Sequence, residues 1–265
     1  LCLICCPQGV PKAGLNYENV HQCVFMKVDG DFRTGEFSVR EEEVYHSVDR
    51  GFDFYAPQSF EDERGRRILI GWMGIPEADY TNPTEKDGWQ HALTLPRQLR
   101  IKEGRLIQTP LEELKGLRRQ QWSFERAESF NSAGEMLRRE LGPVFEAELQ
   151  FSDCRSMSLQ LRRGTSLTWE DGVLTLSMEE GGFGRTRRHG ALGKLEKLQI
   201  FSDVSSLEIF VNGGEQVFSS RVYADCGHDG EKTGGYLRLE GDCEASGTVY
   251  RLGGFSVEKR KENDK

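Results

Sequence analysis

No stretch of the 265 residues approaches the roughly 18 consecutive apolar residues that a membrane-spanning helix needs. No basic segment precedes the apolar start Leu1-Cys2-Leu3-Ile4-Cys5-Cys6, so that run reads as a strand and not as a leader or an anchor. Lysine and arginine are scattered, and the net charge is −8, which excludes the basic patch that nucleic acid or an anionic membrane requires. A neutral or small substrate suits this balance better. The seven cysteines, Cys2, Cys5, Cys6, Cys23, Cys154, Cys226 and Cys243, contain one CxxC with no second CxxC or HxxxH opposite it. That spacing argues against zinc, and because the CxxC lies in an apolar strand, buried free thiols are expected. The odd count points to a reducing compartment, the cytoplasm. No metal and no cofactor is expected. The lone histidines His21, His46, His91, His189 and His228 have no paired partners in the sequence and read as surface or core residues. A repeat of roughly forty to fifty residues is also missing, which counts against a propeller of the WD or kelch kind.

What is present is a folded, all-β chain. An apolar content of 37% with 10% aromatics, spread over short apolar runs between Gly, Asn, Asp and Pro, gives strands with a turn every eight to twelve residues or so. Strands are expected over 1–6, 21–29 and 32–38, with Asp29-Gly30 as the hairpin turn. The period-two alternation of Phe52, Phe54 and Ala56 against Asp53, Tyr55 and Pro57 predicts a strand, paired across Arg64-Gly65 with the glycine-bounded run 67–73. Residues 76–87 read as a surface loop, and 91–95, 99–102 and 105–108 as strands. Leu111, Leu114 and Leu117 after Pro110 predict a helix over 110–121, linking two domains. Eleven further strand candidates follow, at 125–130, 136–140, 144–151, 157–162, 165–170, 173–178, 195–202, 206–211, 216–222, 235–240 and 247–252, with hairpin turns at Asp171-Gly172 and Asn212-Gly213. The one-wet-face alternation in 144–151 and 207–211 leads to a two-sheet sandwich.

Several strings occur together in one order: Asp49-Arg50-Gly51-Phe52-Asp53-Phe54-Tyr55-Ala56-Pro57-Gln58, Arg67-Ile68-Leu69-Ile70-Gly71-Trp72-Met73, Gly88-Trp89 with Ala92-Leu93-Thr94-Leu95-Pro96-Arg97, residues 104–114, and Leu207-Glu208-Ile209-Phe210-Val211-Asn212 with Ser220-Arg221-Val222. In this order they resemble glycoside hydrolase family 32, the family of invertases, sucrose-6-phosphate hydrolases and related fructosidases. The resemblance implies the closing part of a five-bladed β-propeller over 1–109, a short helical linker over 110–121 and a C-terminal β-sandwich over 122–265. The segment Ile4-Cys5-Cys6-Pro7-Gln8-Gly9 resembles the stretch just after the family's general-acid motif, so an upstream half is expected to precede Leu1.

Retaining glycosidases use a carboxylate nucleophile and a second carboxylate as acid and base, about 5 Å apart. The family carries these in Asn-Asp-Pro and Glu-Cys motifs, with a stabilising Arg-Asp-Pro; none of the three strings occurs here, so no catalytic residue is assigned on this chain. The resemblance instead implies pocket-rim, substrate-binding roles for Asp49, Asp53, Tyr55 and Trp72. Asp49 would hydrogen-bond the sugar on the leaving-group side, and Asp53 and Tyr55 would help position the acid/base. Trp72 is a stacking platform or a core tryptophan between blades, and Trp89 packs against its loop. The expected partner is a small carbohydrate: sucrose, sucrose 6-phosphate, raffinose or a fructan. A non-catalytic carbohydrate-binding or assembly module is the alternative, against which Trp169 and Phe183 form no evident platform. Self-association through an open propeller edge is expected as well.

Overall fold

The computed structural model describes residues 2–31, 33–39, 45–125, 142–162, 164–223 and 237–254. Among them are twenty strands and three short 3-10 helices, so the chain is nearly all β. The first half holds β1 (Cys2–Cys5), β2 (Val24–Lys27), β3 (Asp29–Asp31), β4 (Glu36–Ser38), β5 (His46–Ser47), β6 (Tyr55–Glu61), β7 (Arg67–Trp72), β8 (Arg97–Lys102) and β9 (Arg105–Pro110). Strands β1, β2 and β5 form one antiparallel sheet, β3 and β4 a hairpin, and β6 to β9 a four-stranded meander. These small sheets lie in a propeller-like arrangement, in which the β1-β2-β5 sheet and the meander share an apolar cluster that includes Cys23, Phe25, Val48, Phe54, Leu69 and Leu106.

The second half contributes β10 (Arg118–Phe124), β11 (Phe145–Ser152), β12 (Ser156–Arg162), β13 (Thr165–Glu170), β14 (Val173–Met178), β15 (Arg187–Ala191), β16 (Lys197–Asp203), β17 (Ser206–Val211), β18 (Gln216–Arg221), β19 (Arg238–Glu240) and β20 (Glu244–Leu252). One sheet runs β10-β20-β11-β16-β17-β18 and the other β15-β14-β13-β12-β19. Both send their alternate apolar residues into one core: Ala147, Leu149 and Ile200 from the first, Leu159, Leu167 and Leu176 from the second. Trp169 is part of this core and donates its indole N–H to Leu192 O at 2.8 Å, so it is no binding platform. The two-residue turn Asp171-Gly172, between paired Glu170 and Val173, has positive φ at both residues, as right-handed strand twist requires, while Asn212-Gly213 opens a four-residue loop between paired Val211 and Gln216 and also has positive φ at both residues.

Several expectations are corrected. Asp29-Gly30 lies inside β3, and the hairpin turns between paired Asp31 and Glu36, with Gly35 at φ 73°. Residues 91–95 form no strand; only Leu93 makes a single bridge, to Trp72. The helix expected over 110–121 is a 3-10 helix confined to Glu112–Leu117, after which Arg118 starts β10 and pairs with β20. Strand β15 carries no apolar alternation, Arg187-Arg188-His189-Gly190-Ala191, and pattern reading passes over it. The expected strand over 136–140 and most of that over 125–130 lie outside the described residues, as does the start of that over 235–240.

The stretch 49–54 is a loop, and strand begins only at Tyr55. The alternation has another cause. Phe52 is buried in the core of the second half and Phe54 in that of the first, so the segment passes between the two cores. It lies along β18, with Arg50 N donating to Val217 O at 2.7 Å and Asp53 N to Ser219 O at 3.0 Å. Gly51 makes this approach possible, because a Cβ there would lie 2.0 Å from Ser219 O.

Candidate functional site

The strand pair β6 and β7 starts with Tyr55 opposite Trp72. A register shift between Tyr55 and Gln58 makes a bulge, with Ala56 at φ 44°, and bulges of this kind re-aim the adjoining side chains. The Tyr55 and Trp72 rings meet edge to face at 6.3 Å, and Trp72 meets His91 in the same way at 5.3 Å. Trp72 Nε1 donates to His91 Nδ1 at 3.1 Å, which leaves the neutral His91 with its proton on Nε2. Gly74 gives the indole its room, since a Cβ there would stand 2.6 Å from Trp72 Nε1.

On the other side of Tyr55, the His21 ring makes an edge contact at 5.8 Å. His21 Nε2 is 3.2 Å from Glu77 Oε2, while its buried Nδ1 has no hydrogen-bond partner among the described residues. Burial raises the Tyr55 hydroxyl above its ordinary value, and the charge of nearby Cys6 raises it further. The result is a row His21, Tyr55, Trp72, His91 with both aromatic faces and polar ring nitrogens. Such a row can stack on a sugar ring and hydrogen-bond its hydroxyls. Tyr55 and Trp72 are both partly exposed, unlike a core pair.

Asp49 and Asp53 sit elsewhere. The Asp49 side chain is fully buried; Oδ1 accepts from the Gly51 and Ser219 amides at 2.8 Å each, and Oδ2 from Arg97 Nη1 at 3.0 Å and Ser219 Oγ at 2.8 Å. Arg97, equally buried, also reaches Glu208 Oε2 at 2.8 Å and Gln108 Oε1 at 3.1 Å. Burial pulls its pKa down, yet Glu208 and Asp49 together hold it above the ordinary arginine value. Asp53 accepts from Arg185 Nε at 2.8 Å, from Arg185 Nη2 at 3.0 Å and from the Arg221 amide at 2.7 Å. All four carboxylate oxygens are thus occupied inside the protein, with no surface turned to a ligand. Asp49, expected to hydrogen-bond the sugar, and Asp53, expected to help position the acid/base, thus have their oxygens engaged within the protein, since buried charge is tolerated only when paired and hydrogen-bonded. Both carboxylates tie the first half of the chain to the second.

The histidines, expected as surface or core residues, are buried at His21 and exposed at His46 and His91. His21, His91 and His189 all have partners, the last with its Nδ1 2.9 Å from Glu18 Oε1, and His46 stacks on Phe25. His228 lies outside the described residues. Trp89 is 43% exposed and packs one face under the Arg221 guanidinium at 4.8 Å. His21, Glu77 and His91 escape pattern reading because nothing adjacent to them in sequence marks them. Among the described residues no cluster of three or more His, Cys, Asp or Glu could hold a metal ion, and no helix is long and apolar enough to cross a membrane.

Two family models match in succession: the glycosyl hydrolases family 32 N-terminal domain over residues 1–110 and the family 32 C-terminal model over 113–241. The sucrose-6-phosphate hydrolase of Staphylococcus xylosus is 36% identical over 246 residues, which is 87% of this chain and 48% of that protein. That of Salmonella typhimurium is 38% identical over 235 residues, 84% of this chain and 45% of the relative. The sucrose-6-phosphate hydrolase structure from Lactobacillus gasseri superposes with a TM-score of 0.79 at 25% identity, over 95% of this chain and 52% of that one. The Bombyx mori β-fructofuranosidase does so at 0.75 and 29%, over 95% and 51%. The chain therefore spans about half the length of the relatives it matches. With both models matched in order along one all-β chain, and with enzymes of the same family as its structural neighbours, the chain belongs to glycoside hydrolase family 32.

Proposed function

We propose that the chain is the C-terminal portion of a fructoside hydrolase acting with retention on sucrose, sucrose 6-phosphate or a related fructoside. In this reading residues 1–109 close a five-bladed propeller, residues 110–117 link, and the two facing sheets from Arg118 onward are a β-sandwich. The observation that carries it is the pair Tyr55 and Trp72 at the ends of paired strands with His91 against the indole, a row polar and aromatic at once. Trp72 supplies the stacking face for the sugar. Tyr55 supplies a hydroxyl at the rim, and Asp49 and Asp53 hold the wall behind it through Arg97 and Arg185.

The reaction needs a nucleophile and an acid/base on opposite sides of the glycosidic bond. Neither is assigned on this chain, because its sequence lacks Asn-Asp-Pro and Glu-Cys. The 265-residue chain alone is therefore expected to release no fructose, since even a general acid by itself is worth about 10² to 10⁴ in rate. The test is an assay for fructose from sucrose and from sucrose 6-phosphate, with the chain alone and with the full-length protein. In the full-length protein Trp72→Ala should raise KM by about tenfold with kcat little changed, and Tyr55→Phe should lower kcat mildly, through the loss of one stacking face or one hydrogen bond. Hydrolysis by the chain alone would overturn the assignment of the catalytic groups elsewhere.

A further inference from the structure

Strand β1 pairs with β2 so that Cys5 faces Val24, and the same register continues to the bridge between Gln8 and His21. Cys6 and Cys23 are therefore directly opposed. Gln22 N donates to Pro7 O at 3.2 Å, which makes the next position a hydrogen-bonded one and the Cys6 to Cys23 position a non-hydrogen-bonded one. At such positions the Cα atoms stand about 4.5 Å apart and the side chains converge. A disulfide accepts Cα separations of about 4.4 to 6.8 Å. Both cysteines are free, Cys23 is buried, Cys6 is partly exposed, and the two thiols hydrogen-bond.

The bulge in β6 adds a second feature. The Ala56 amide, turned by its positive φ, donates to the Cys6 sulfur as Cys23 does. With the Cys23 hydrogen bond as the larger influence, overcoming burial, the Cys6 thiol is lowered to about 6, while Cys23 keeps its proton far above the ordinary range. Cys6 is thus a thiolate at neutral pH with a thiol held against it, the arrangement of an attacking and a resolving cysteine.

We propose that Cys6 and Cys23 form an oxidation site at which a hydroperoxide closes a disulfide between the residue after β1 and the residue before β2, beside Tyr55. The Cys6 sulfur attacks the peroxide oxygen, the O–O bond breaks, and the departing alkoxide takes a proton from water. This leaves Cys6 as a sulfenic acid. The Cys23 sulfur then attacks the Cys6 sulfur, the S–O bond breaks, and the Cys23 proton leaves with the hydroxyl as water. Each sulfur gives up one electron, and the peroxide is reduced to an alcohol and water. Closure removes the thiolate that accepts from Ala56 N–H and the negative charge beside the Tyr55 hydroxyl, so it acts on the rim. The oxidation site stands independently of the fructosidase reading.

Two neighbours serve as controls. Cys6 packs against the apolar cluster with Cys23, whereas Cys5, the last residue of β1, is not part of that cluster. Cys154 and Cys243 also hydrogen-bond thiol to thiol, but burial raises both, so neither supplies a thiolate. The folded chain treated with a few equivalents of hydrogen peroxide should yield, in a non-reducing peptide map, a cross-link joining Cys6 to Cys23 that dithiothreitol reverses. Cys6→Ser and Cys23→Ser, with circular dichroism unchanged, should each abolish it, while Cys5 and Cys154 remain open to alkylation. Recovery of Cys6 as a sulfinic acid with Cys23 free, or a cross-link to any other cysteine, overturns the proposal. Iodoacetamide labelling gives an independent readout: the Cys6 rate should rise through about pH 6 and shift toward pH 8 to 9 in Cys23→Ala, as an ordinary thiol behaves. An unshifted profile would show that the two thiols do not act together.

Discussion

Arg97 joins two carboxylates from distant parts of the chain, Asp49 at a separation of 48 residues and Glu208 at 111, and it does so with no exposed surface. Removing it leaves two buried carboxylates facing each other without a cation. Breaking a buried ion pair from one side costs about 3–5 kcal/mol. Arg97→Met is therefore expected to lower the urea midpoint by more than half or to prevent folding, and Arg97→Lys should rescue little, because one ammonium cannot serve Asp49, Glu208, Gln108 and Ser219 in their fixed directions. A midpoint within error of the parent protein would remove Arg97 from this role. The same residues mark the limit of what sequence shows. Tyr55 and Trp72 are legible as neighbours because a turn and two short runs of strand residues join them. Asp49 and Asp53 take their rim roles from the family resemblance, and nothing beside them in the sequence shows that both are buried in ion pairs. Their partners Arg97 and Arg185 can be found only once the fold has brought together residues 48 and 132 positions apart.

The strands are the legible elements, because period two survives wherever one face is buried; β13, β14 and β17 match their expected bounds. The 3-10 turn is misleading for a physical reason. Leu111, Leu114 and Leu117 repeat every three residues, which is the period of a 3-10 helix and falls short of the 3.6 of an α-helix. Strand β15 stays invisible because it is an edge strand held by polar contacts. One of these contacts is testable by pH. Glu18, in the loop before β2, accepts from the His189 amide at 2.7 Å, and lies 2.9 Å from His189 Nδ1 and 2.8 Å from Lys12 Nζ. Burial alone would raise its carboxyl, but the hydrogen bonds from Lys12 and His189 lower it below the usual glutamate value. A depressed carboxylate stabilises the fold above its unfolded pKa of about 4.3 and loses that contribution as pH falls through the lower folded value. The thermal midpoint should therefore fall more steeply below about pH 4.3 in the parent protein than in Glu18→Gln, whose neutral side chain keeps its size but cannot titrate. Parallel curves would show that Glu18 does not anchor this loop to β15.

At the scale of the whole molecule, the two halves are joined tightly and the outer edges are not. Phe52, the Asp49 to Arg97 to Glu208 network and the Asp53 to Arg185 pair lock 49–54 onto β18, so the halves should unfold together. In contrast β1 is an edge strand of its sheet among the described residues, as β6 is of the meander. Leu3 on β1 is 43% exposed and Phe60 on β6 is 50% exposed. A closed propeller covers such edges by completing the ring, and an edge left open presents unpaired amides and carbonyls beside apolar side chains. The 265-residue chain on its own is therefore expected to self-associate in a concentration-dependent way, seen as a rise in mass by light scattering between about 1 and 100 μM, a range in which exposed strand edges aggregate. Leu3→Lys places a charge on the β1 edge, which strands use to resist pairing, and should lower the associated fraction without lowering the thermal midpoint. Under the proposed architecture, a longer protein with further blades flanking β1 should show no such dependence. If the chain alone stays monomeric throughout, or if Leu3→Lys leaves its association unchanged, then the β1 edge is not the surface through which it associates.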